Sequence, residues 1–152
     1  MVEIRREEDK KYKFKFVKKV LDTLPDWFSD GEANLSYAKS SRDMDTYIIS
    51  DDGFDLGFLM IKETSDKAIE IYCLGLYPSY RNKGLGKILV NEVLSNYKDK
   101  FDIVQVKTLD YGLDRYYDET ICFYKSLGFI KLETIKEIWG ESNPCMIMVK
   151  SL

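Results

Sequence analysis

Within seven residues, Arg81-Asn82-Lys83-Gly84-Leu85-Gly86-Lys87, the chain gathers three cations and two glycines. They follow an apolar run from Ile69 to Tyr77 and a break at Pro78-Ser79, and they open a helical pattern with Leu85, Ile88, Leu89 and Val93 on one face. The first turn of a helix carries backbone N–H groups without intrahelical acceptors, and with them a partial positive charge. Asp or Glu suits that end, yet Arg81, Lys83 and Lys87 stand there. Cations at the positive end of a helix dipole are unfavourable unless an anion lies among them. Glycine lets the backbone come close to such an anion, so the chemistry is that of a phosphate or pyrophosphate cradle. A Walker loop is excluded, because no Gly-x4-Gly-Lys-Ser/Thr run exists. A dinucleotide fingerprint is excluded too, because Leu89 stands where its third glycine is required.

The rest of the composition narrows the chemistry further. The chain has no histidine, so Ser-His-Asp and Cys-His catalysis and His-ligated metal sites are ruled out. Acid–base work falls to carboxylates, tyrosine, lysine, cysteine or water. Cys73, Cys122 and Cys145 are widely spaced and form no Cys-x-x-Cys pair, which argues against zinc and redox motifs and for buried free thiols in a reducing cytosol. Cys145 has no evident partner base that would make it a nucleophile. The net charge of −3 argues against general affinity for nucleic acid and is compatible with a cationic acceptor. Met1 to Glu8 is too charged for a signal peptide, and no apolar run reaches the length of a membrane span. The expectation is a cytoplasmic protein with no metal, no nucleic-acid partner and no membrane contact.

Elements must position these groups, and 152 residues are the size of one domain. Val2 to Arg5 alternates as a short strand. Tyr12, Phe16, Val20 and Leu24, with Phe14, Val17 and Leu21, form an amphipathic helix ending at Pro25. Trp27 to Gly31 reads as a loop, and Glu32 to Asp43 as a more polar helix packing through Leu35 and Ala38. Thr46 to Ser50 is a strand, and Asp51-Asp52-Gly53 a turn. Asp55 to Glu63 is the next strand, with Leu56, Phe58, Met60 and Lys62 on one face. A further strand runs from Ala68 to Tyr77. After the helix from Gly84 comes a strand from Phe101 to Thr108, whose Ile103, Val104 and Val106 suit a buried central position. Leu109 to Tyr116 reads as a loop, Asp118 to Leu127 as a helix with Gly128 at its C′ position, and Phe129 to Ile135 as a strand. Trp139 to Pro144 reads as a loop before a last strand around Met146 and Met148. The pattern has an antiparallel front half and one β-α-β crossover. It predicts a three-layer α/β/α sandwich on a central mixed, mostly antiparallel twisted sheet, one domain over residues 1–152.

Arg81-x-x-Gly84-x-Gly86, led in by Leu76-Tyr77-Pro78-Ser79-Tyr80, resembles the acetyl-CoA-binding motif of the GNAT superfamily of N-acyltransferases. Downstream, Thr120-Ile121-Cys122-Phe123-Tyr124-Lys125-Ser126-Leu127-Gly128-Phe129 resembles that family's helix ending in Phe-Tyr-x-x-x-Gly-Phe. The resemblance implies direct transfer of an acetyl group from acetyl-CoA, as cosubstrate, to the primary amine of a small molecule or peptide. It implies that Arg81, Asn82, Lys83, Gly84, Leu85, Gly86 and Lys87 wrap the coenzyme A pyrophosphate. Leu74 and Leu76 would lie along the pantetheine arm, where the family's strand bulges. Gly75 between them suits either that bulge or tight packing under a helix. Tyr124 matches the tyrosine placed near the coenzyme A sulfur, either as general acid to the leaving thiolate or as a packing aromatic.

Glu70 matches a glutamate that relays the amine's proton through water in some members; the other reading is an ordinary strand charge. Flanked by Ile69 and Ile71, it faces the side opposite to them and must be solvated or paired. Tyr117 departs from the family by standing where many members carry an asparagine that contacts the coenzyme. Trp27, Phe28, Tyr37, Tyr111, Tyr116 and Trp139 fall in the regions that bind the acceptor, near Asp26, Asp30 and Glu32, without any one being singled out. A homodimer is compatible with the sequence. The alternative reading is a non-catalytic acyl-CoA-binding regulatory domain that kept the cradle and lost turnover.

Overall fold

The computed structural model describes residues 1–24, 31–110, 112 and 115–152, and of Tyr116 only the backbone. In chain order the elements are β1 (Val2–Arg6), α1 (Lys10–Asp22), α2 (Gly31–Ser41), β2 (Asp45–Asp51), β3 (Phe54–Glu63), β4 (Ala68–Leu76), α3 (Leu85–Ser95), β5 (Ile103–Leu109), α4 (Arg115–Ser126), β6 (Ile130–Ile135), α5 (Lys136–Trp139) and β7 (Cys145–Ser151). The strands form a seven-stranded sheet in the order β1-β2-β3-β4-β5-β7-β6. The pairings β1–β2, β2–β3, β5–β7 and β6–β7 are antiparallel, and β4–β5 is parallel. This is the mixed, mostly antiparallel α/β fold that the element pattern predicts. The chain divides into two compact units: residues 1–62 with 72–97, and residues 63–71 with 98–152.

In the first unit Asp9 starts α1 by accepting from the backbone N–H groups of Lys11 and Tyr12, the N-cap device that satisfies orphan donors. The inward face of α1, with Phe16, Val17, Val20, Leu21 and Leu24, joins Ala38 of α2, Ile48 of β2, Phe58 and Met60 of β3 and Cys73 of β4 in one core. The helix ends at Asp22, before Pro25. The β2–β3 hairpin turns at Asp52 and Gly53, both at positive φ. All residues from Leu56 to Ile61 are buried, so β3 is covered on both faces rather than one, and Lys62 lies exposed with its Nζ over the Tyr72 ring. In α3 the buried residues are Gly86, Leu89, Val90, Val93 and Leu94. Ile88, expected on that face, is 45% exposed because the packed stripe is centred one residue further round.

Two polar networks tie this unit together. Tyr97 Oη donates to Asp45 at 2.6 Å and lies 3.0 Å from Tyr47 Oη, while Arg6 reaches the other Asp45 oxygen at 2.7 Å. Arg5 grips Asp55 through two hydrogen bonds of 2.8 and 3.0 Å, and Tyr12 Oη donates to the same carboxylate. Burial and the Asp55 hydrogen bond push the Tyr12 phenol up to about 12.

In the second unit Ala68–Ile71 of β4 run beside Ile103–Val106 of β5. Val104 and Val106 are buried as expected, but Ile103 at the strand's start is 48% exposed. A bulge between Lys131 and Glu133 breaks the β6–β7 register. Where the turn residues predict a loop from Trp139, the short helix α5 first turns the chain. All three cysteines are free, but only Cys73 and Cys145 are buried; Cys122 is exposed, because it lies on an outward position of α4. Among the described residues, no helix is long and apolar enough to cross a membrane.

The Arg5–Asp55 pair gives the fold a pH signature. Hydrogen bonding from Arg5 holds the Asp55 carboxyl below its ordinary value of 3.8, against the opposing effect of burial. A carboxyl with a depressed folded value contributes stability that is present above the unfolded value and lost as pH falls through the folded one. Arg5→Ala should therefore unfold at lower urea than wild type at pH 7, with the gap narrowing below pH 3.8. Parallel urea titrations at pH 7 and in acid check this, and an equal gap at both would count against the pair.

Candidate functional site

The cradle residues form one continuous feature of the first unit. β4 ends at Leu76, and Pro78–Tyr80 make a single 3-10 turn closed by Tyr80 N–H to Tyr77 O at 2.9 Å. Asn82 at φ 61° and Gly84 at φ 80° both take the left-handed conformation. A side chain at Gly84 would meet no atom within 4 Å, so backbone conformation, not crowding, requires glycine there. Gly84 is the N-cap residue of α3, and no side chain caps this end. Ile88 N–H is the donor that bonds Gly84 O, at 3.2 Å. The N–H groups of Leu85, Gly86 and Lys87 therefore precede the helical ladder.

No acidic residue lies in that first turn. Lys83 and Lys87 are exposed and Arg81 is half-buried, with Lys83 Nζ 5.7 Å from the centre of the Tyr80 ring. Backbone donors, a helix dipole and cations converge without a protein carboxylate in the turn to neutralise them, which is the donor set a diphosphate needs. Leu74 and Leu76 lead into this loop on β4, both half-buried. A Cβ at Gly75 would stand 3.0 Å from Phe58 Cε1 and 3.2 Å from Val20 Cγ1, which favours the tight-packing reading of that glycine. Gly57 of β3 is more constrained: a Cβ there would come within 2.5 Å of Gly75 O and 2.4 Å of Leu76 Cδ2. Motif reading does not single it out, although an isolated glycine inside a strand is itself a signal of close backbone approach.

The second unit holds Tyr124 and Glu70. Gly128, at φ 96°, ends α4. Its N–H bonds Lys125 O, and the Phe129 N–H reaches back to Tyr124 O, both at 3.0 Å. This is the Schellman pattern, in which a hydrophobic contact joins the residue after the glycine to the last turn. Here that contact is aromatic: the Tyr124 and Phe129 rings lie 5.3 Å apart and edge-on, and the Phe123 ring is 5.2 Å from that of Tyr124. Lys150 Nζ donates to Leu127 O at 2.6 Å, satisfying another carbonyl at this end. The spacing Tyr-x-x-x-Gly-Phe thus has a structural meaning of its own. It fixes a buried tyrosine at the C-terminal end of a helix.

Glu70 is 4% exposed, so it is no solvent-facing strand charge. Lys107 of β5 donates to its Oε1 at 3.0 Å. Lys107 is the functional candidate that the sequence leaves unmarked, because nothing local identifies a lysine in a strand as the partner of a carboxylate 37 residues away. Cys145 belongs to the same neighbourhood. Burial pushes its thiol up, the nearby Lys107 works against that and Glu70 adds to it, which is the reverse of what a nucleophilic thiolate requires.

Of the aromatics near the expected acceptor region, Tyr37 packs edge-on against Tyr72 at 5.5 Å, and Trp139 is exposed on α5. Asp26, Trp27, Phe28, Asp30, Tyr111 and the Tyr116 side chain lie outside the described residues. Among the described residues, no group of three or more Cys, Asp or Glu side chains is arranged to hold a metal ion.

Residues 42–131 match the family model described as "Acetyltransferase (GNAT) domain". Solved structures share the fold over nearly the whole chain. A chain from Desulfovibrio desulfuricans assigned to the GNAT family superposes with a TM-score of 0.84 at 17% identity, covering 99% of each chain. The ribosomal-protein-S18-alanine N-acetyltransferase of Escherichia coli gives 0.76 at 14% identity, covering 99% of this chain and 94% of that one. The PaiA N-acetyltransferase of Thermoplasma acidophilum, solved in complex with coenzyme A, gives 0.73 at 20% identity, covering 100% and 99%. No curated protein matches the sequence.

The left-handed conformation and the open space at Gly84 make a graded test. Gly84→Ala should cost about 1 kcal/mol of stability, the strain of a Cβ at positive φ, and should keep a folded loop. Gly84→Glu places a carboxylate at the helix start and should abolish binding of coenzyme A in calorimetry while the chain still melts cooperatively.

Proposed function

This chain belongs to the GNAT acetyltransferase family and is an acyltransferase that draws on acetyl-CoA, and from that premise we propose that residues 1–152 act as one N-acetyltransferase domain that acetylates a primary amine of a small molecule or peptide. The observation that carries the reading is the start of α3, where a left-handed Gly84, an uncapped helix end and the cations Arg81, Lys83 and Lys87 meet. With Asn82, Leu85 and Gly86, these residues hold the coenzyme A pyrophosphate. Leu74 and Leu76 lie along its pantetheine arm. The coenzyme A bound by the Thermoplasma acidophilum PaiA enzyme, which shares this fold, supports that assignment.

The acceptor amine attacks the thioester carbonyl directly, so most of the rate comes from holding two reactants in line. A lysine-like amine has a reference pKa of about 10.4 and arrives mainly as ammonium. Glu70 accepts its proton through water. The N–C bond forms, the C–S bond breaks, and the Tyr124 hydroxyl gives a proton to the departing thiolate. Packing of Tyr124 against Phe123 and Phe129 suits this role, since it restrains the ring. Three free thiols suit a reducing compartment, which we take to be the cytoplasm.

Calorimetry with acetyl-CoA, followed by mass-shift screening of amines, polyamines and lysine peptides, tests the assignment. Saturable binding with a 1:1 heat and acetylation of at least one amine class are expected, and absence of any saturable association would sink it. Tyr124→Phe should lower kcat on the order of 100-fold, within the usual range for a proton-transfer group. Its affinity for coenzyme A should stay close to wild type.

A further inference from the structure

Glu70 sits in the interior of β4, between Ile69 and Ile71, and all three are buried. A buried carboxylate without a partner is costly, and chemistry offers it few remedies: a counter-charge, hydrogen bonds, or loss of the charge. Here one counter-charge is supplied. Gln105 is the β5 residue directly opposite Glu70, and Lys107, two residues on, reaches back to place its ammonium on Oε1 at 3.0 Å. Lys107 is itself only 29% exposed in its side chain, against 5% for Glu70, so solvent screens the pair far less than an exposed one. Among the described residues no hydrogen bond reaches the second oxygen, Oε2. Cys145, the third polar side chain of the cluster, stays a neutral thiol because burial raises it, and among the described residues the ion pair of Glu70 is with Lys107.

We propose that Lys107 is the positioning residue for Glu70: it supplies the buried counter-charge, holds Oε1, and thereby presents Oε2 as the oxygen that takes the acceptor amine's proton. The inference rests on the role of Glu70 stated above and goes beyond it. It makes the base a strand-to-strand pair rather than a single carboxylate. Because Lys107 acts through Glu70, its effect must vanish when Glu70 can no longer accept a proton.

Acetyl-CoA turnover of wild type, Lys107→Met, Lys107→Arg, Glu70→Gln and the double variant Glu70→Gln/Lys107→Met decides the matter, read with melting points and coenzyme A affinities. Lys107→Met should lower kcat roughly tenfold, a part of the roughly 100-fold or more that a well-placed proton-transfer group contributes, with coenzyme A affinity unchanged. Lys107→Arg should restore most of the loss. In the Glu70→Gln background the lysine substitution should change kcat less than about twofold, the non-additivity of residues acting as a unit. An undiminished further loss in that background, or wild-type kcat in Lys107→Met, overturns the proposal and leaves Glu70's role standing. Should Lys107→Met fail to fold, as breaking a buried pair can cause, the comparison of Glu70→Gln with the double variant settles the question by itself, since neither contains an unpaired buried carboxylate. Wild-type kcat in Glu70→Gln would remove the Glu70 assignment and this proposal together, while acetyl transfer itself would stand.

Discussion

The start of α3 is a helix end with no acidic residue in its first turn and no side-chain cap. Helices commonly receive a serine, threonine or aspartate cap, as α1 receives Asp9. α3 receives glycine, no acidic side chain in its first turn, and cations around it. A folded protein tolerates such an arrangement only because the loop is exposed and water can solvate it, and it becomes favourable when an anion arrives. The turn at Pro78–Tyr80 and the left-handed Asn82 and Gly84 set the direction in which the free N–H groups point. The apolar side of α3, through Leu89, Val90, Val93 and Leu94, anchors the helix whose beginning we propose holds the pyrophosphate.

Glycine governs the end of α4 as well, for a different reason. At Gly128 the left-handed conformation closes α4 in a Schellman pattern, and the chain's return brings Phe129 against Tyr124. One backbone device thus stops a helix, starts the path to β6 and restrains an aromatic ring. The same economy explains why two short motifs about forty residues apart carry so much of the meaning of this chain. Each is a local solution to the problem of unsatisfied groups at a helix terminus.

Charge is handled differently inside the two units. In the first, Asp55 and Asp45 are each shared between an arginine of β1 and one tyrosine, Tyr12 of α1 or Tyr97 just after α3. In the second, Glu70 has the ammonium of Lys107. The networks of the first unit join α1 and Tyr97 to the strands as well as linking neighbouring strands. The pair of the second unit lies on adjacent strands already held in register by backbone hydrogen bonds, so its side-chain contact is not needed to align them.

From the residues alone, the helix ends at Gly84 and Gly128, the hairpin turn at Asp52-Gly53, the mixed sheet with its single crossover, and the family likeness were all legible. Each depends on neighbours within about five residues or on a short repeating period, and local sequence contains that information. Tertiary structure alone decided which face of each element is covered. It buried β3 on both sides, turned Ile88 and Ile103 to solvent, left Cys122 exposed and formed α5 ahead of the loop that begins at Trp139. It alone also decided that Glu70 is buried and that Lys107 is its partner, and that Gly57 must be glycine because the backbone of Gly75 passes beside it. Those outcomes depend on atoms contributed by elements far apart in the chain, and hydrophobic patterning carries no term for which distant strand a residue will meet.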